Sequence, residues 1–379
     1  MHILIAPNAF KNSLSAAAAA AAIEKGFQQS RLPCSTRCFP VGDGGDGTGT
    51  LLTQLLKGIF IEEKVTDPLG REIKGWMGLI DQGQTAVIEM AAASGLRLLQ
   101  PDELDPLHAS SFGTGQLLQK AWDRGVTKII LCVGGSATVD GGTGILEALG
   151  IRFLDAEGKT LTRLPESLVK LAAIDLTHSD ARIRQTEISI LCDVTNPLLG
   201  EKGAAKIFGP QKGADQDAVQ QLEASLKRFN EVVLQTTGID MQQIRHGGAA
   251  GGTAAGLSAL LGAKTVNGIE HFLDLTGFDA ALQEADLVIT GEGSIDLQTL
   301  DGKAPFGVAM RAKKKNIPVI ALAGSIPAEP YPELAACFDV LLSINPQPVD
   351  LATALANTAH NLELMSTVIA NQEGGPLRS

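Results

Sequence analysis

The stretch DLVITGEGSIDLQTLDGKAP, residues 286–305, decides the fold. Its apolar run at 287–289 predicts a strand that is buried on both faces, as in a parallel sheet. We expect this strand to end at Thr290, to be followed by a loop rich in glycine and acid, and then by Lys303 before a helix. Ligands bind at strand ends in open α/β sheets, where glycines admit phosphate, carboxylates hold metal ions and lysine neutralises negative charge. The stretch therefore predicts one wall of a phosphoryl-transfer site.

Four other segments share this alternation of a buried strand and a helix. Strands are predicted at 2–7, 36–41, 318–323 and 339–343, with helices between them. Together with residues 286–290, these segments predict one five-stranded parallel sheet.

The pattern changes after residue 59. Three strand-like runs at 59–67, 72–80 and 85–91 are separated by short turns, which indicates antiparallel pairing. Buried strands and helices follow, including a glycine- and alanine-rich helix predicted at 247–262. A chain of 379 residues also exceeds the size at which a single core usually grows. We therefore predict an α/β protein of two domains: the first comprises residues 1–59 and 285–379, and the second is a mixed α/β domain inserted at 60–284.

Composition excludes several classes of partner. The net charge of −11 disfavours nucleic acid and anionic membranes, and an aromatic content of 4% argues against stacking platforms for single-stranded nucleic acid. No apolar run approaches the roughly 20 residues needed to cross a membrane, and the N-terminus lacks the features of a signal peptide. We expect a cytoplasmic protein without nucleic-acid or membrane partners; the sequence leaves open whether it forms a homodimer.

The cysteines and histidines form no metal-binding or nucleophilic motif. Five scattered cysteines without a CxxC pair indicate reduced thiols, and the six histidines show no ligand spacing. A serine-hydrolase elbow and a Walker A loop are also missing from the sequence.

The loop GDGGDG at 42–47 matches the dinucleotide pattern GxGxxG. However, it follows the second predicted strand and places Asp43 and Asp46 where a pyrophosphate would lie. Carboxylates repel phosphate unless they carry a metal ion. A metal–phosphate or substrate loop is therefore the favoured interpretation, with a dinucleotide site and a tight turn without function as alternatives.

Three further polar loops follow predicted strands. Lys11 is predicted at the start of a helix, where a cation opposes the helix dipole; a bound anion between them would resolve the conflict, and an ordinary solvated lysine is the alternative. The loop VGGSATVDGG at 133–142 has the composition of an anion nest. In the loop CDVTNP at 192–197, Asp193 is placed to accept a proton from a hydroxyl group or to bind a metal ion. The alternative is that these residues only form a turn, since Asp, Asn and Pro are typical turn residues.

Taken together, these motifs resemble the type I glycerate kinase family nearly from end to end. The matching segments are IAPNAFKNSLSA at 5–16, PVGDGGDGT at 40–48, VTDPLGR at 65–71, EMAAASGL at 89–96, SSFGTG at 110–115, GGSATVDGG at 134–142, CDVTNPLLG at 192–200, FGPQKGA at 208–214, ITGEGSIDLQTLDGKAP at 289–305 and VIALAGSI at 319–326. The chain departs from the family at Asn8, where Asp is more usual, at Asp46, where Glu is more usual, and at Ser294, where Arg is usual.

The resemblance implies a flavodoxin-like domain interrupted by a second α/β domain, with the active site in the cleft between them. It also implies transfer of phosphate from ATP, with Mg²⁺, to D-glycerate, usually at carbon 2, giving 2-phospho-D-glycerate. The alternatives are a kinase of another small hydroxy acid, a non-catalytic protein that binds a hydroxy acid or nucleotide, and an NAD(P)-dependent oxidoreductase that uses residues 42–47.

For phosphoryl transfer we expect Asp193 to be the base, with Asp296 as second choice, and Lys11 and Lys303 to contact phosphate. Magnesium is assigned to a pair among Asp43, Asp193 and Asp296, while Arg71 and Arg97 are candidates for the substrate carboxylate. The full set of predicted substrate- and phosphate-binding residues is Asn8, Ser13, Asp43, Gly44, Gly45, Arg71, Arg97, Gly134, Gly135, Ser136, Thr195, Asn196, Gly291, Glu292 and Gly293.

Overall fold

A computed structural model describes residues 1–329 and 331–372. It divides the chain into two compact units: the first contains Met1–Asp43 and the described chain from Ile269 onward, and the second contains Gly44–Gly268. These limits differ from the predicted domain boundaries, which fall between residues 59 and 60 and between 284 and 285.

The described residues contain thirteen strands and thirteen α-helices. The strands are β1 His2–Pro7, β2 Ser35–Cys38, β3 Ile59–Thr66, β4 Glu72–Ile80, β5 Thr85–Glu89, β6 Lys128–Cys132, β7 Arg152–Leu154, β8 Ala173–Asp175, β9 Glu187–Cys192, β10 Lys264–Asn267, β11 Leu287–Ser294, β12 Val319–Ser325 and β13 Val340–Ser343. The helices are α1 Ala16–Gln28, α2 Thr48–Leu55, α3 Ala91–Ser94, α4 Phe112–Trp122, α5 Thr143–Ala148, α6 Ala204–Phe208, α7 Gln216–Thr237, α8 Thr253–Leu261, α9 Gly268–Thr276, α10 Phe278–Leu282, α11 Ala304–Lys313, α12 Pro332–Cys337 and α13 Leu351–Ala370.

The first unit is built on a sheet in which the strand order is β13-β12-β11-β1-β2 and every pair is parallel. The apolar strands β1 and β11 pair at the centre, with Ile5 opposite Ile289, and both residues are fully buried. The prediction of a five-stranded parallel sheet is confirmed. Burial on both faces explains why residues 3–6 of β1 and 287–289 of β11 are continuous apolar runs.

Helices α1 and α13 pack closely in this unit. Ser15 caps α1 by accepting a hydrogen bond from the amide of Ala18. A Cβ at Gly26 would lie 2.3 Å from the carbonyl oxygen of Glu363, so only glycine allows α1 to approach α13 this closely.

The second unit contains a six-stranded sheet of order β10-β9-β6-β5-β4-β3. Strand β4 is antiparallel to β3 and β5, whereas β5, β6, β9 and β10 are mutually parallel. The predicted mixed sheet is therefore confirmed, including the antiparallel entry. Its parallel part brings the carboxyl ends of β5, β6 and β9 to one edge.

Two local predictions were wrong, and one element was missed. The short antiparallel pair β7–β8 was not predicted. Helix α8 begins at Thr253, because Ala250, Gly251 and Gly252 all have positive φ and cannot continue a right-handed helix. Strand β11 does not end at Thr290 but continues to Ser294, because its last residues pair with β12.

Among the helices of residues 1–329 and 331–372, none is both long and apolar enough to cross a membrane.

Candidate functional site

In the first unit, Asp43 is held beside the end of β1. The side-chain amide of Asn8 donates to Asp43 Oδ2 at 2.9 Å, and both residues are buried. The backbone amide of Ala304, the first residue of α11, donates to the same oxygen at 3.4 Å. The N-terminus of α11, which carries a partial positive charge, therefore lies beside the Asp43 carboxyl group.

Glu292 is a second buried acid in this unit and lies near the C-terminal end of β11. It is 6% exposed and accepts a hydrogen bond from Thr299 Oγ1 at 3.1 Å. Burial raises the pKa of Glu292 to about 7; the negative charge of Asp43 also raises it, while Lys303 and Lys11 lower it. Lys11, Lys303 and Asp43 therefore all interact electrostatically with the carboxyl group of Glu292.

Lys11 and Lys303 reach this cluster from different segments. A Cβ on Gly293 would lie 3.4 Å from the backbone nitrogen of Lys11, so the loop after β1 runs along the end of β11. Lys303 is the residue just before α11, and its side chain is partly buried. The structure thus brings together Asn8, Lys11, Asp43, Glu292 and Lys303 from the predicted set.

Three other predicted site residues of this unit make structural contacts with the backbone of neighbouring segments. Asp296 caps the short 3-10 helix Leu297–Asp301, accepting from the amide of Gln298 at 2.8 Å. The Ser13 hydroxyl donates to the carbonyl oxygen of Leu355 at 2.6 Å. Gly291 lies within β11, where a Cβ would be 2.1 Å from the carbonyl oxygen of Leu322.

In the second unit, two glycine loops are in contact. The amide of Gly134 donates to the carbonyl oxygen of Gly44 at 3.0 Å, and a Cβ on Gly134 would lie 2.4 Å from the Cα of Gly45. Gly44 has a φ of +95° and packs against the carbonyl of Leu191 in β9. These loops therefore meet at the carboxyl ends of β6 and β9, an edge where ligands bind in α/β sheets.

Glu89, at the end of β5, occupies the N-terminus of α2. Its buried carboxylate accepts a hydrogen bond from the amide of Thr50 at 3.0 Å and lies close to the amides of Gly47 and Gly49. Burial raises the pKa of Glu89 to about 7, while these amides lower it and Asp46 raises it. A dinucleotide pyrophosphate would need this helix N-terminus. Because Glu89 fills it, the geometry disfavours the dinucleotide interpretation of residues 42–47.

The loop that follows β6 contains a buried acid, Asp140, and two backbone amides without a hydrogen-bond acceptor in the described chain, those of Gly135 and Ser136. Asp140 is fully buried and accepts from the amides of Ser111, Gly142 and Gly144 and from the Ser111 hydroxyl. It is therefore a structural acid. By contrast, the amides of Gly135 and Ser136 have no acceptor within residues 1–329 and 331–372. Consecutive unpaired amides after a strand suit an anion.

Asp193 directly follows β9 and is partly buried. In the same loop Thr195 is exposed, and the Asn196 side chain donates to the carbonyl oxygen of Lys202 at 2.8 Å. His246, which is 3% exposed, contacts the carbonyl oxygen of Val194 through Nδ1 at 2.6 Å. The backbone that carries Asp193 is therefore held on both sides.

The two candidate arginines differ in their partners. Arg71 contacts Asp67 and Glu103, each at 2.5 Å, and these bonds raise its pKa. Arg97 pairs with Asp46 at 2.7 Å, and its side chain is 76% exposed. Arg71 braces the turn after β3, whereas Arg97 lies beside the glycine loop at 44–47.

Residues 1–329 and 331–372 contain no cluster of three or more His, Cys, Asp and Glu side chains that could hold a metal ion by themselves. Magnesium, however, is usually held by one or two carboxylates together with substrate phosphates. The buried carboxylate of Asp43 fits such a role, and within the described chain the side-chain oxygen of Asn8 beside it accepts no hydrogen bond.

The sequence model described as "Glycerate kinase family" matches residues 3–372. The chain belongs to the glycerate kinase family. This membership confirms the resemblance found in the sequence motifs.

Members of the family from several bacteria are similar over most of their length. A Bacillus subtilis protein named glycerate kinase is 43% identical over 370 residues, which cover 98% of this chain and 97% of that protein. An Escherichia coli protein named glycerate 2-kinase is 44% identical over 326 residues, 86% of each chain. A crystal structure of a candidate glycerate kinase 2 from Salmonella typhimurium LT2 superposes with a TM-score of 0.81 at 41% identity, covering 97% of each chain.

Two buried ionisable residues of this family member were not predicted from the sequence. Glu89 lies in the quoted segment 89–96, and its position at a strand end was the signal that could have identified it. Lys212, in the segment 208–214, is buried against the loop after β6, with its Nζ 2.9 Å from Ser136 Oγ. Its sequence context, a lysine before a glycine in a turn, carries no distinguishing pattern.

Proposed function

We propose that the protein transfers the γ-phosphoryl group of ATP to a hydroxyl of D-glycerate, with 2-phospho-D-glycerate as the product. Membership of the glycerate kinase family is the observation that carries this proposal. The proposed site at carbon 2 is supported by the similarity to the E. coli protein named glycerate 2-kinase.

Phosphoryl transfer requires positioning of the reactants and neutralisation of charge more than covalent chemistry. Lys11 and Lys303, which act on the same buried acid in the first unit, are the proposed cations for phosphate oxygens. In the second unit, the unpaired amides of Gly135 and Ser136 are proposed donors to an oxyanion. Gly291 and Glu292 belong to β11 and pair with β12, so they do not form a loop around the phosphate. From this segment, the proposed contribution to the site is the carboxyl group of Glu292.

Asp193 remains the proposed base for the attacking hydroxyl. It lies at the carboxyl end of a parallel strand, where its backbone is held on both sides. Asp296, the second choice, already caps a 3-10 helix through its carboxylate, which makes it less suited to receive a proton.

Magnesium is the proposed metal, and Asp43 is its best-supported ligand; Asp193 and Asp296 complete the predicted set. When bound with ATP, the ion neutralises charge on the phosphates. Asn8 orients the Asp43 carboxylate through its amide hydrogen bond.

We also propose that the first unit is flavodoxin-like. Numbered within the unit, its strands have the order 2-1-3-4-5, which is the flavodoxin-like order. The interdomain cleft, the cytoplasmic location and the homodimer stay predictions.

A coupled assay of ADP release tests the function. ATP and Mg²⁺ with D-glycerate should give sustained turnover, and phosphorus NMR should identify the product as the 2-phosphate. Turnover only with a different hydroxy acid would support the first alternative, and binding without turnover would support a non-catalytic protein. A nicotinamide-dependent absorbance change without use of ATP would contradict the proposal.

A further inference from the structure

Lys212 is a buried lysine for which the proposed mechanism has no role. It is 3% exposed and ends the short 3-10 helix Pro210–Lys212. Gly213 follows with a φ of +100°, and a Cβ there would lie 2.3 Å from the carbonyl oxygen of Leu104. This tight turn fixes the backbone from which the lysine enters the interior of the second unit.

The ammonium group of Lys212 donates to two atoms of the loop after β6. The acceptors are Ser136 Oγ at 2.9 Å and the carbonyl oxygen of Thr138 at 2.7 Å, and both are uncharged. Burial lowers the pKa of Lys212 to about 7, with Asp140 opposing the shift. A buried cation with neutral acceptors costs stability compared with an apolar side chain of the same size. Packing alone therefore does not explain a lysine at this position.

The hydrogen bond from Lys212 determines what the Ser136 hydroxyl does. Because Ser136 Oγ accepts the lysine hydrogen, its own hydrogen is available for donation. No acceptor for it is present in the described chain, 1–329 and 331–372. The amides of Gly135 and Ser136 are unpaired in the same part of the loop. Three potential donors thus lie in residues 135 and 136, just after β6, and one of them is fixed by its hydrogen bond with Lys212.

We propose that Lys212 is a positioning residue that orients Ser136 as a hydrogen-bond donor to a substrate oxyanion held by the amides of Gly135 and Ser136. The oxyanion is either a phosphate group of the nucleotide or the carboxylate of the hydroxy acid. This inference rests on the proposed kinase function and adds a role for a residue outside the predicted site.

The test is a double-mutant cycle of Lys212→Met and Ser136→Ala in the full chain, with the KM for ATP and the KM for D-glycerate measured separately. Each single variant should raise the KM of the same substrate roughly tenfold, as expected for loss of a hydrogen bond to a charged group. The double variant should be no worse than Ser136→Ala alone, because the lysine acts through the serine. The substrate whose KM changes identifies the oxyanion. Lys206→Met, which removes a surface ion pair with Glu201, is the matched control and should leave both KM values unchanged.

Two results would overturn the proposal: a Lys212→Met variant with reduced thermal stability but unchanged KM values, or effects that multiply in the double variant. If Lys212→Met does not fold, the KM values of Ser136→Ala test the proposal by themselves. Unchanged KM values for both substrates would show that the Ser136 hydroxyl donates to neither substrate and would overturn the proposal. If the wild-type protein does not phosphorylate D-glycerate, the proposed function fails instead. The same cycle is then measured as binding of ATP and of D-glycerate by calorimetry.

Discussion

The side-chain amide of Asn8 donates a hydrogen bond to Asp43 Oδ2 at 2.9 Å, and the two side chains are buried together. Replacing Asn8 by Asp would place two carboxylates in contact. Without a metal ion, their repulsion should raise the pKa of one of them and destabilise the protein. The two carboxylates would together be available as ligands for Mg²⁺, so Mg²⁺ should raise the melting temperature of Asn8→Asp more than that of the wild type.

Asn357→Asp on the exposed face of α13 makes the same chemical change away from the site and serves as the control. Its melting temperature should respond to Mg²⁺ as the wild type does. Equal Mg²⁺ responses of Asn8→Asp and the wild type would count against Asp43 as a ligand.

Asp193→Asn tests the proposed base. The amide cannot accept the hydroxyl proton, so kcat should fall by roughly 10²- to 10⁴-fold while the protein remains folded. Steady-state kinetics at saturating ATP and D-glycerate measure the change. Asp217→Asn, in the exposed first turn of α7, should keep full activity. Near-normal turnover of Asp193→Asn would remove Asp193 from the mechanism.

Much of the fold was predictable because its strongest determinants are local. The central strand β1 and the first part of β11, residues 287–289, are apolar, and such runs identify parallel strands directly. Short turns between β3, β4 and β5 were equally informative. Strands β7 and β8 have only three residues each, too few to show an alternating pattern.

The candidate site was less predictable because its properties arise from contacts between distant segments. Arg71, for example, donates a hydrogen bond to Glu103, which lies 32 residues further along the chain. Lys212 meets Ser136 across 76 residues, and no local pattern reveals that the lysine is buried. Strand ends identified where polar residues collect, but only the packing shows which of them hold the backbone and which face a ligand.

The two arginines should respond differently to substitution. Arg97→Met should raise the KM for D-glycerate roughly tenfold, because its exposed guanidinium beside Asp46 is the better placed to meet the substrate carboxylate. Arg71→Met should instead lower the melting temperature and leave KM unchanged, since Arg71 pairs with Asp67 and Glu103. Each variant is the control for the other. If Arg71→Met raises KM and Arg97→Met does not, the assignment is reversed.

Gly134→Ala tests the contact between the two glycine loops of the second unit. The new Cβ would lie 2.4 Å from the Cα of Gly45, so the loops must separate. We expect a loss of about 2 kcal/mol in the free energy of unfolding and a fall in kcat/KM of roughly 10- to 100-fold, because the loop donors are displaced.

The control for this change is Gly158→Ala, which carries a positive φ of +77° but has open space around its Cβ. It should cost roughly 1–2 kcal/mol in stability and leave the kinetics unaltered. Wild-type kinetics for Gly134→Ala would show that the contact with Gly45 does not matter for activity.

Glu89 should make the stability of the second unit depend on pH. Its pKa is raised from an ordinary value of 4.5 to about 7 in the folded protein, chiefly by burial. The folded state therefore binds the proton more tightly than the unfolded state. This contribution to stability is fully present below pH 4.5 and is lost as the pH rises through 7.

Glu89→Gln removes the titration while keeping an acceptor oxygen for the amides at the start of α2. Between pH 5 and pH 8, the free energy of unfolding should therefore fall less in Glu89→Gln than in the wild type, by at most about 3 kcal/mol. Urea unfolding followed at several pH values measures the difference, and the contributions of ionisable groups that are the same in both proteins cancel. Glu157→Gln, an exposed residue, should follow the wild-type curve. Parallel pH curves for Glu89→Gln and the wild type would show that the Glu89 carboxyl is not protonated in this range, and its negative charge would then persist at the start of α2 throughout.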